Sequence, residues 1–403
     1  MSTSILYHGF GIYGYRYTKT EYQQGALVFS IEKDPTSLRC PCCKGIQVIR
    51  KGTVLRWFHT LPIGSKQVYL KLQVPRVMCR ACGIVRQITL GFADARRTYT
   101  RAFQRYVVEL SKRMTIRDVA RHLGIGWDTV KEVLRTYLSS RFSRPDLKHL
   151  DLIAIDEIAI GKGHRYLTVV LDLLSGAVVF VGDGKGADSL APFWKRVKRA
   201  RAKIRAVAID MSPAYITAVS TNLPEAVIVF DHFHLVKLFN DKLSKLRREL
   251  QRQAETAGKK VLKGTRWLLL KKPERLSPDH NEQQRLEEAL RLNSSLATAY
   301  YLKEDLRQLW QCPDKPAAET FLDDWIARAR ASDVPMLHKF AQTLDDHRKG
   351  ILAYFDFPIS TGPLEGTNNK IKTLQKQAYG FRDMEFFKLK IYALHESRYA
   401  LIG

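Results

Sequence analysis

The sequence predicts an α/β core, a mixed sheet flanked by helices with a helical insertion, preceded by a β-rich domain and a small helical domain. Three observations carry this expectation. LDLIAIDEIAI and YLTVVLDLLSGAVVFVGDG read as three strands, and alternating helix and strand patterns follow them. The first hundred residues hold short β-type runs and two Cys-x-x-Cys pairs. Residues 99 to 141 keep the apolar spacing of helices. The expected boundaries are 1–95 (β-rich, zinc-ribbon-like), 96–148 (helical), 149–240 (first part of the core), 241–350 (insertion) and 351–403 (closing helices of the core).

Lys and Arg outnumber Asp and Glu by 66 to 40 in 403 residues, a net charge of +26. So large an excess implies a strong positive field and a polyanionic partner. A basic charge could also suit an anionic membrane surface, but no apolar run approaches the roughly 18 residues of a spanning helix and the basic residues spread along the whole chain, so no membrane role is expected. The opening MSTSILYHGFGIYG lacks the basic-then-apolar order of a secretion signal. Five of the six cysteines share one N-terminal region, unlike a secreted disulfide framework. The expectation is a cytoplasmic, nucleic-acid-bound protein.

In the β-rich region, ALVFSI, IQVIR and VYLKLQV are strand candidates broken by Gly and Pro. Cys40 and Cys43 form one pair and Cys79 and Cys82 another, with glycine close behind each (CCKG, CRACG). Two such knuckles suit a tetrahedral zinc ion, each supplying two thiolates, with glycine allowing the tight turn. The intervening strands would form the hairpin body of a ribbon. Cys42 is an alternative to Cys40 or Cys43 as ligand, and a β-domain of unliganded thiols is the competing reading.

The next region contains TIRDVARHLGIGWDTVKEVLRTYL. Thr115 is a helix N-cap, Ala120 a small inter-helix contact, Gly124 the turn, and Asp128 to Leu138 the second helix. This is a helix-turn-helix pattern, with Trp127, Thr129, Lys131 and Arg135 on or near a helix able to read a DNA groove. A purely structural helical pair is the alternative, and the basic charge favours DNA. His122 reads as an ordinary surface residue.

After SRPDLKH come the three strands, with Ser-Gly as a hairpin turn, then the helix SLAPFWKRVKRAR and the strands IRAVAID and AVIVFD. From Leu235 to about Leu352 the pattern is almost wholly helical, with Leu235, Leu238, Leu243, Leu246 and Leu250 on one stripe. Trp267, Trp310 and Trp325 of this stretch are core aromatics or, alternatively, stacking surfaces for an unpaired base.

Asp156 interrupts one apolar strand and Asp210 closes another. Carboxylates there cost several kcal/mol of desolvation unless paired or metal-bound. Near the C-terminus, GPLEGTNNKIK opens a helix with Pro363 in its first turn. Glu365, Asn368 or Asn369, and Lys372 then share a face, which suits a metal ion and a phosphate better than a core. Helix capping by Glu365 is the plainer alternative. Asp156, Asp210 and Glu365 together supply hard oxygen ligands for one or two magnesium (or manganese) ions. Glu157 falls on the opposite face of the strand from Asp156 by the period-two rule.

CPCC, CRACG, the helix-turn-helix, AIDEIAIGKGHRYLTVVLD, AVAIDMSPAY, VFDHFHLVKL and PLEGTNNKIKTLQKQAYGFRD together resemble the ISL3 family of bacterial DDE-type transposases over essentially the whole chain. The resemblance implies a ribonuclease-H-like core with Asp156, Asp210 and Glu365 as catalytic acids and a helical insertion before the last of them. It also implies supporting roles for Asp231, His234 and Lys372, with an Asp231–His234 pair that only orients a strand end as the alternative for the first two. Asn368 and Asn369 either hydrogen-bond DNA or hold the helix against the sheet, and His232 is expected to point away. The implied activity is binding of terminal inverted repeats in double-stranded DNA, followed by cleavage and strand transfer. A homodimer or larger assembly on DNA would hold the two ends. The rival readings are a zinc and helix-turn-helix regulator with a dead core, and a structure-selective nuclease without strand transfer.

Overall fold

The β-branched and aromatic runs of the N-terminal region pair into a five-stranded sheet in the computed structural model, which describes residues 4–161 and 163–394. The chain divides into two units, Met1–Ser143 and Arg144–Gly403. In the first, a short helix α1 (Ile5–Phe10) precedes β1 (Tyr15–Gln23), β2 (Ala26–Lys33), β3 (Val48–Ile63), β4 (Lys66–Cys79) and β5 (Val85–Gln87). The sheet order is β1-β2-β4-β3, with β5 paired to β4. Strands β3 and β4 form a long antiparallel hairpin that turns at Gly64, whose left-handed φ of 59° suits a residue without Cβ. Alternation sends Phe58, Val68, Leu70, Leu72 and Val74 into one core with Leu27 and Phe29, leaving Trp57, His59, Tyr69 and Lys71 on the opposite face.

Three helices follow: α2 (Arg101–Ser111), α3 (Ile116–Leu123) and α4 (Trp127–Phe142). The Thr115 hydroxyl caps α3 by accepting from the Asp118 N–H, and Gly124 ends it at a left-handed φ of 61°. Val119, Leu123, Val130, Val133, Leu134 and Leu138 are buried. Helix α4 runs past the Leu138 expected from the sequence, because Ser139 to Phe142 continue its hydrogen bonding.

The second unit opens with β6 (Leu152–Gly161), β7 (Arg165–Asp172) and β8 (Val178–Asp183), then α5 (Ala191–Ala200), β9 (Ala206–Ile209), α6 (Pro213–Asn222) and β10 (Val227–Phe230). The order is β10-β9-β6-β7-β8, with antiparallel β6-β7-β8 and parallel β6-β9-β10. The helical insertion comprises α7 (His232–Gln253), α8 (Thr256–Leu262), α9 (Arg266–Leu270), α10 (Glu282–Arg291), α11 (Ser294–Leu306), α12 (Lys315–Ala331), α13 (Pro335–Asp346) and α14 (Arg348–Leu352). The chain closes with α15 (Gly362–Gln377) and α16 (Met384–Tyr392).

Period-two alternation decides which layer each residue of β6 joins. Ile153 and Ile155 pack with Phe193 of α5, Tyr215 and Val219 of α6, and the insertion. Ala154 and Ile158 pack with Leu364 and Ile371 of α15 and Phe387 and Ile391 of α16. Among the insertion tryptophans, Trp325 is fully buried and donates Nε1–H to Leu302 O at 2.8 Å, so it is core and cannot stack on a base. Trp310 is partly buried, and Trp267 is exposed beneath the Arg266 guanidinium. No helix among the described residues is long and apolar enough to cross a membrane.

Candidate functional site

Asp156 lies on the same face of β6 as Ala154 and Ile158, so its side chain meets α15. There Asn368 donates Nδ2–H to Asp156 Oδ2 at 2.9 Å, while the Glu157 N–H donates to Asp156 Oδ1 at 2.7 Å. Asn368 is 5 % exposed and sits between Leu364 and Ile371 on the buried stripe of α15. Its contact with Asp156 ties the helix to the sheet, the second of the two roles open to it. Because the carboxylate can only accept, the amide must present its NH2 to Asp156, which leaves Asn368 Oδ1 buried without a partner among the described residues.

Asp210 follows β9, beside β6, and accepts the Ser212 N–H at 3.0 Å. Burial pushes the Asp156 carboxyl above its ordinary value. The Glu157 N–H and the nearby His234 act against this, and the Asp210 and Glu157 charges add to it. Glu157 itself faces the other layer and accepts the Tyr215 hydroxyl at 2.7 Å. Asp156 and Asp210 are near enough for their charges to interact, and carboxylate oxygens are the hard donors a magnesium ion takes.

Glu365 lies one turn before Asn368, in the first turn of α15, exposed and without a side-chain partner among the described residues. Asn369 and Lys372 continue its exposed stripe. The Asp156, Asp210 and Glu365 oxygens are not drawn together as a three-ligand group.

Asp231 caps α7 and is 2 % exposed. Its Oδ2 accepts the Thr361 hydroxyl at 2.6 Å and lies 3.8 Å from His234 Nε2. Thr361 O in turn accepts the Glu365 N–H at 2.9 Å. A chain of contacts thus runs from the end of β10 through Thr361 to Glu365. His232 turns toward Trp310 and Tyr354 of the insertion and its flank. Thr361 and Tyr215 were not expected from the sequence; Thr361 stands just before Gly-Pro at a helix start, a capping signal, whereas nothing local marks Tyr215.

The β3–β4 register pairs Val48 with Cys79, so the open end of the hairpin carries both cysteine knuckles. Among the described residues, Cys40, Cys43, Cys79 and Cys82 form the group whose ligand atoms all lie within 4.8 Å of one another. The sulfurs are 3.6 Å apart for Cys40–Cys82, 3.5 Å for Cys43–Cys79 and 4.0 Å for Cys43–Cys82. A zinc–thiolate tetrahedron with ~2.3 Å bonds has edges of about 3.8 Å, so the spacing fits zinc and is far too long for disulfides. Backbone N–H groups point at the Cys40 and Cys79 sulfurs and lower those two thiols, while the crowding of neighbouring sulfurs raises Cys43 and Cys82. Cys42 is exposed and outside the cluster, which resolves its ambiguity. Gly83 makes the second turn at φ 66°, but in the first the left-handed residue is Lys44 at φ 63°. Gly45 serves otherwise, since a Cβ there would stand 3.2 Å from Cys43 Sγ.

On α4, Trp127 is 46 % exposed with the Lys131 ammonium 5.2 Å above its ring, and Thr129 and Arg135 are half-buried.

Three family models match the chain. One described as "Transposase" covers residues 153–391, one described as "Helix-turn-helix domain of transposase family ISL3" covers 88–138, and one described as "zinc-finger of transposase IS204/IS1001/IS1096/IS1165" covers 37–82. The chain is 32 % identical over 390 residues to the transposase for insertion sequence element IS1001 of Bordetella parapertussis, covering 95 % of this chain and 96 % of that one. It is 29 % identical over 357 residues to the transposase for IS1557 of Mycobacterium tuberculosis, covering 82 % and 80 %. Among solved structures, the Drosophila P element transposase strand transfer complex aligns with a TM-score of 0.40 at 11 % identity, over 75 % of this chain and 93 % of that chain, a likeness too low to argue from.

Proposed function

The chain belongs to the ISL3 family of transposases, and from that premise we propose that Asp156, Asp210 and Glu365 carry metal-assisted phosphoryl transfer on the ends of its element. It is a DNA transposase with a helix-turn-helix and a zinc-finger domain. The observation that carries the proposal is the Asn368–Asp156 hydrogen bond, which brings α15 against the strand bearing the first acid. Glu365 stands one turn away on the same helix.

Bound between these acids, magnesium or manganese ions would stabilise charge on the attacking and leaving oxygens of a phosphodiester. The protein's part is placement. Asn368 and the Glu157 N–H fix both oxygens of Asp156, and the Ser212 N–H orients Asp210. Asp231 holds the start of α15 through Thr361 and lies 3.8 Å from His234 Nε2, on the side where His234 stands near Asp156. Lys372, exposed two turns along α15, is placed for a phosphate of the bound duplex. The first displacement uses water and frees a 3′-hydroxyl; the second uses that hydroxyl on target DNA. Both ends must be held together, so a dimer or larger assembly on DNA is part of the proposal.

Purified protein incubated in magnesium with element ends and a supercoiled plasmid tests this reading. Integration supports it. Cleavage without integration would make the protein a nuclease, and binding alone would make it a regulator with a silent core.

A further inference from the structure

Within the first unit, a cleft of about 480 Å³ opens between the outer face of β3–β4 and the α2 and α4 helices. Trp57, His59, Tyr69, Tyr99 and Phe103 line it, and the first turn of α4 reaches it through Gly126 and Thr129. The β-hairpin explains the aromatic wall. Phe58 points into the core, so Trp57 and His59 point out, and the register sets His59 opposite Tyr69.

His59 is 7 % exposed and lies between Tyr69, at 4.7 Å and 26°, and Phe103, at 4.2 Å and 22°. Both faces of its ring are covered, which leaves the edge. The ring nitrogens on that edge have no hydrogen-bond partner among the described residues. Burial brings the imidazole down to about 4, so at neutral pH it is uncharged, with one nitrogen donating and the other accepting. Trp57 is 37 % exposed, and Lys71 lies 5.6 Å from its ring.

Arg56 also lines the cleft, but its guanidinium lies over Phe58 and donates to Arg97 O at 2.6 Å, so a phosphate would meet an engaged cation and an uncharged imidazole. Aromatic walls and a neutral donor–acceptor edge suit an uncharged planar heterocycle carrying donors and acceptors on its own rim, which describes a nucleobase. The unit is strongly cationic, with 24 Lys and Arg against 8 Asp and Glu in residues 1–143. A duplex read by α4 would run past the mouth of the cleft. A paired base has its edge and faces engaged, so only an unpaired one is free to enter.

We propose that this cleft receives one unpaired base of the bound DNA, stacked on Trp57 and met at its rim by the His59 ring edge. The proposal rests on the DNA-binding role of the helix-turn-helix unit, and paired duplex serves as the control for that role. The probes are a labelled duplex with a single bulged 2-aminopurine and its fully paired counterpart, titrated with the full chain. Stacking of one base predicts about a tenfold preference for the bulged duplex and a drop in 2-aminopurine emission on binding. Trp57→Ala, at a partly exposed position, should reduce the preference below about twofold while paired-duplex affinity stays unchanged. His59→Phe keeps the ring stack and removes the edge nitrogens, and should also lower the preference. Equal affinity of wild type for the two duplexes overturns the proposal. So does a preference retained in both variants, which would belong to the flexibility of bulged DNA, or an equal loss on both duplexes, which would make the cleft a backbone contact. Failure to bind either duplex would instead overturn the DNA-binding role itself.

Discussion

The cysteine cluster and the acidic site solve the same problem in opposite ways. Cys40, Cys43, Cys79 and Cys82 come from the two knuckles at the end of one hairpin, and their sulfurs already stand at tetrahedral spacing. Asp156, Asp210 and Glu365 come from two strands and a helix that begins about 150 residues after the second of them, and their oxygens are not gathered. A site that supplies folding energy has to be complete within the protein. A site that works on a phosphodiester has to leave room for the substrate's own oxygens. The first site is closed within the protein; the second, on the proposed function, would be completed by metal and by the substrate's oxygens.

The largest effect should come from breaking the closed site. Chelation, or Cys79→Ser, removes a structural metal whose binding energy is on the order of 10 kcal/mol, so the first unit should unfold and DNA binding should be lost. Elemental analysis of purified protein should find one zinc per chain. Zinc well below half an equivalent, with melting unaffected by chelator, overturns this.

Breaking the open site should leave the fold and change the rate. Asp156→Asn, Asp210→Asn and Glu365→Gln should each lower end cleavage by about a thousandfold or more, since a hard cation requires the charge. Magnesium should raise the melting temperature of wild type and not of these variants. If Glu365 only caps α15, Glu365→Gln will cleave within about tenfold of wild type and lose about 1 kcal/mol of stability.

Thr361→Val tests whether the open site is nevertheless held in place. The change strips a hydrogen bond from a buried carboxylate and should cost about 1–3 kcal/mol. If the contact also positions Glu365, cleavage should fall about 10–100-fold and Thr361→Ser should restore it. Loss of stability with an unchanged rate would confine Thr361 to the fold.

The smallest effect sharpens the comparison through pH. Burial raises the Asp156 carboxyl, so the folded chain holds that proton more tightly than the unfolded chain. The resulting stability is fully present below the unfolded value and is lost as pH rises through the folded one. Without metal at neutral pH, Asp156→Asn should therefore melt at or above wild type, and the difference should vanish in acid. A variant that melts lower at neutral pH shows that the charged Asp156 is already compensated without a cation.

Much of this was legible because it is local. Alternation in LDLIAIDEIAI assigns Asp156 and Glu157 to opposite layers, and the structure gives one to Asn368 and the other to Tyr215. The Cys-x-x-Cys pairs announce their cluster without any knowledge of the hairpin. What was hidden depends on contacts between distant segments. Periodicity has nothing to say about Asp231 meeting Thr361, or about Trp325 closing a core. Asn368 is the instructive intermediate. Spacing puts it on the face of Glu365 and Lys372, whereas the structure sets it between Leu364 and Ile371 on the buried stripe, because Asp156 lies beneath it.

The Asp231–Thr361 hydrogen bond also sets a rule for the helices between them. The chain departs at the end of β10 and returns to the same buried carboxylate, so the excursion is a handle whose two roots touch. Closing such a loop costs free energy that rises only with the logarithm of its length. Helices can therefore be added to or trimmed from its far end over generations while the two roots, and the acids beside them, keep their places. The handle is free to diversify; its roots are not.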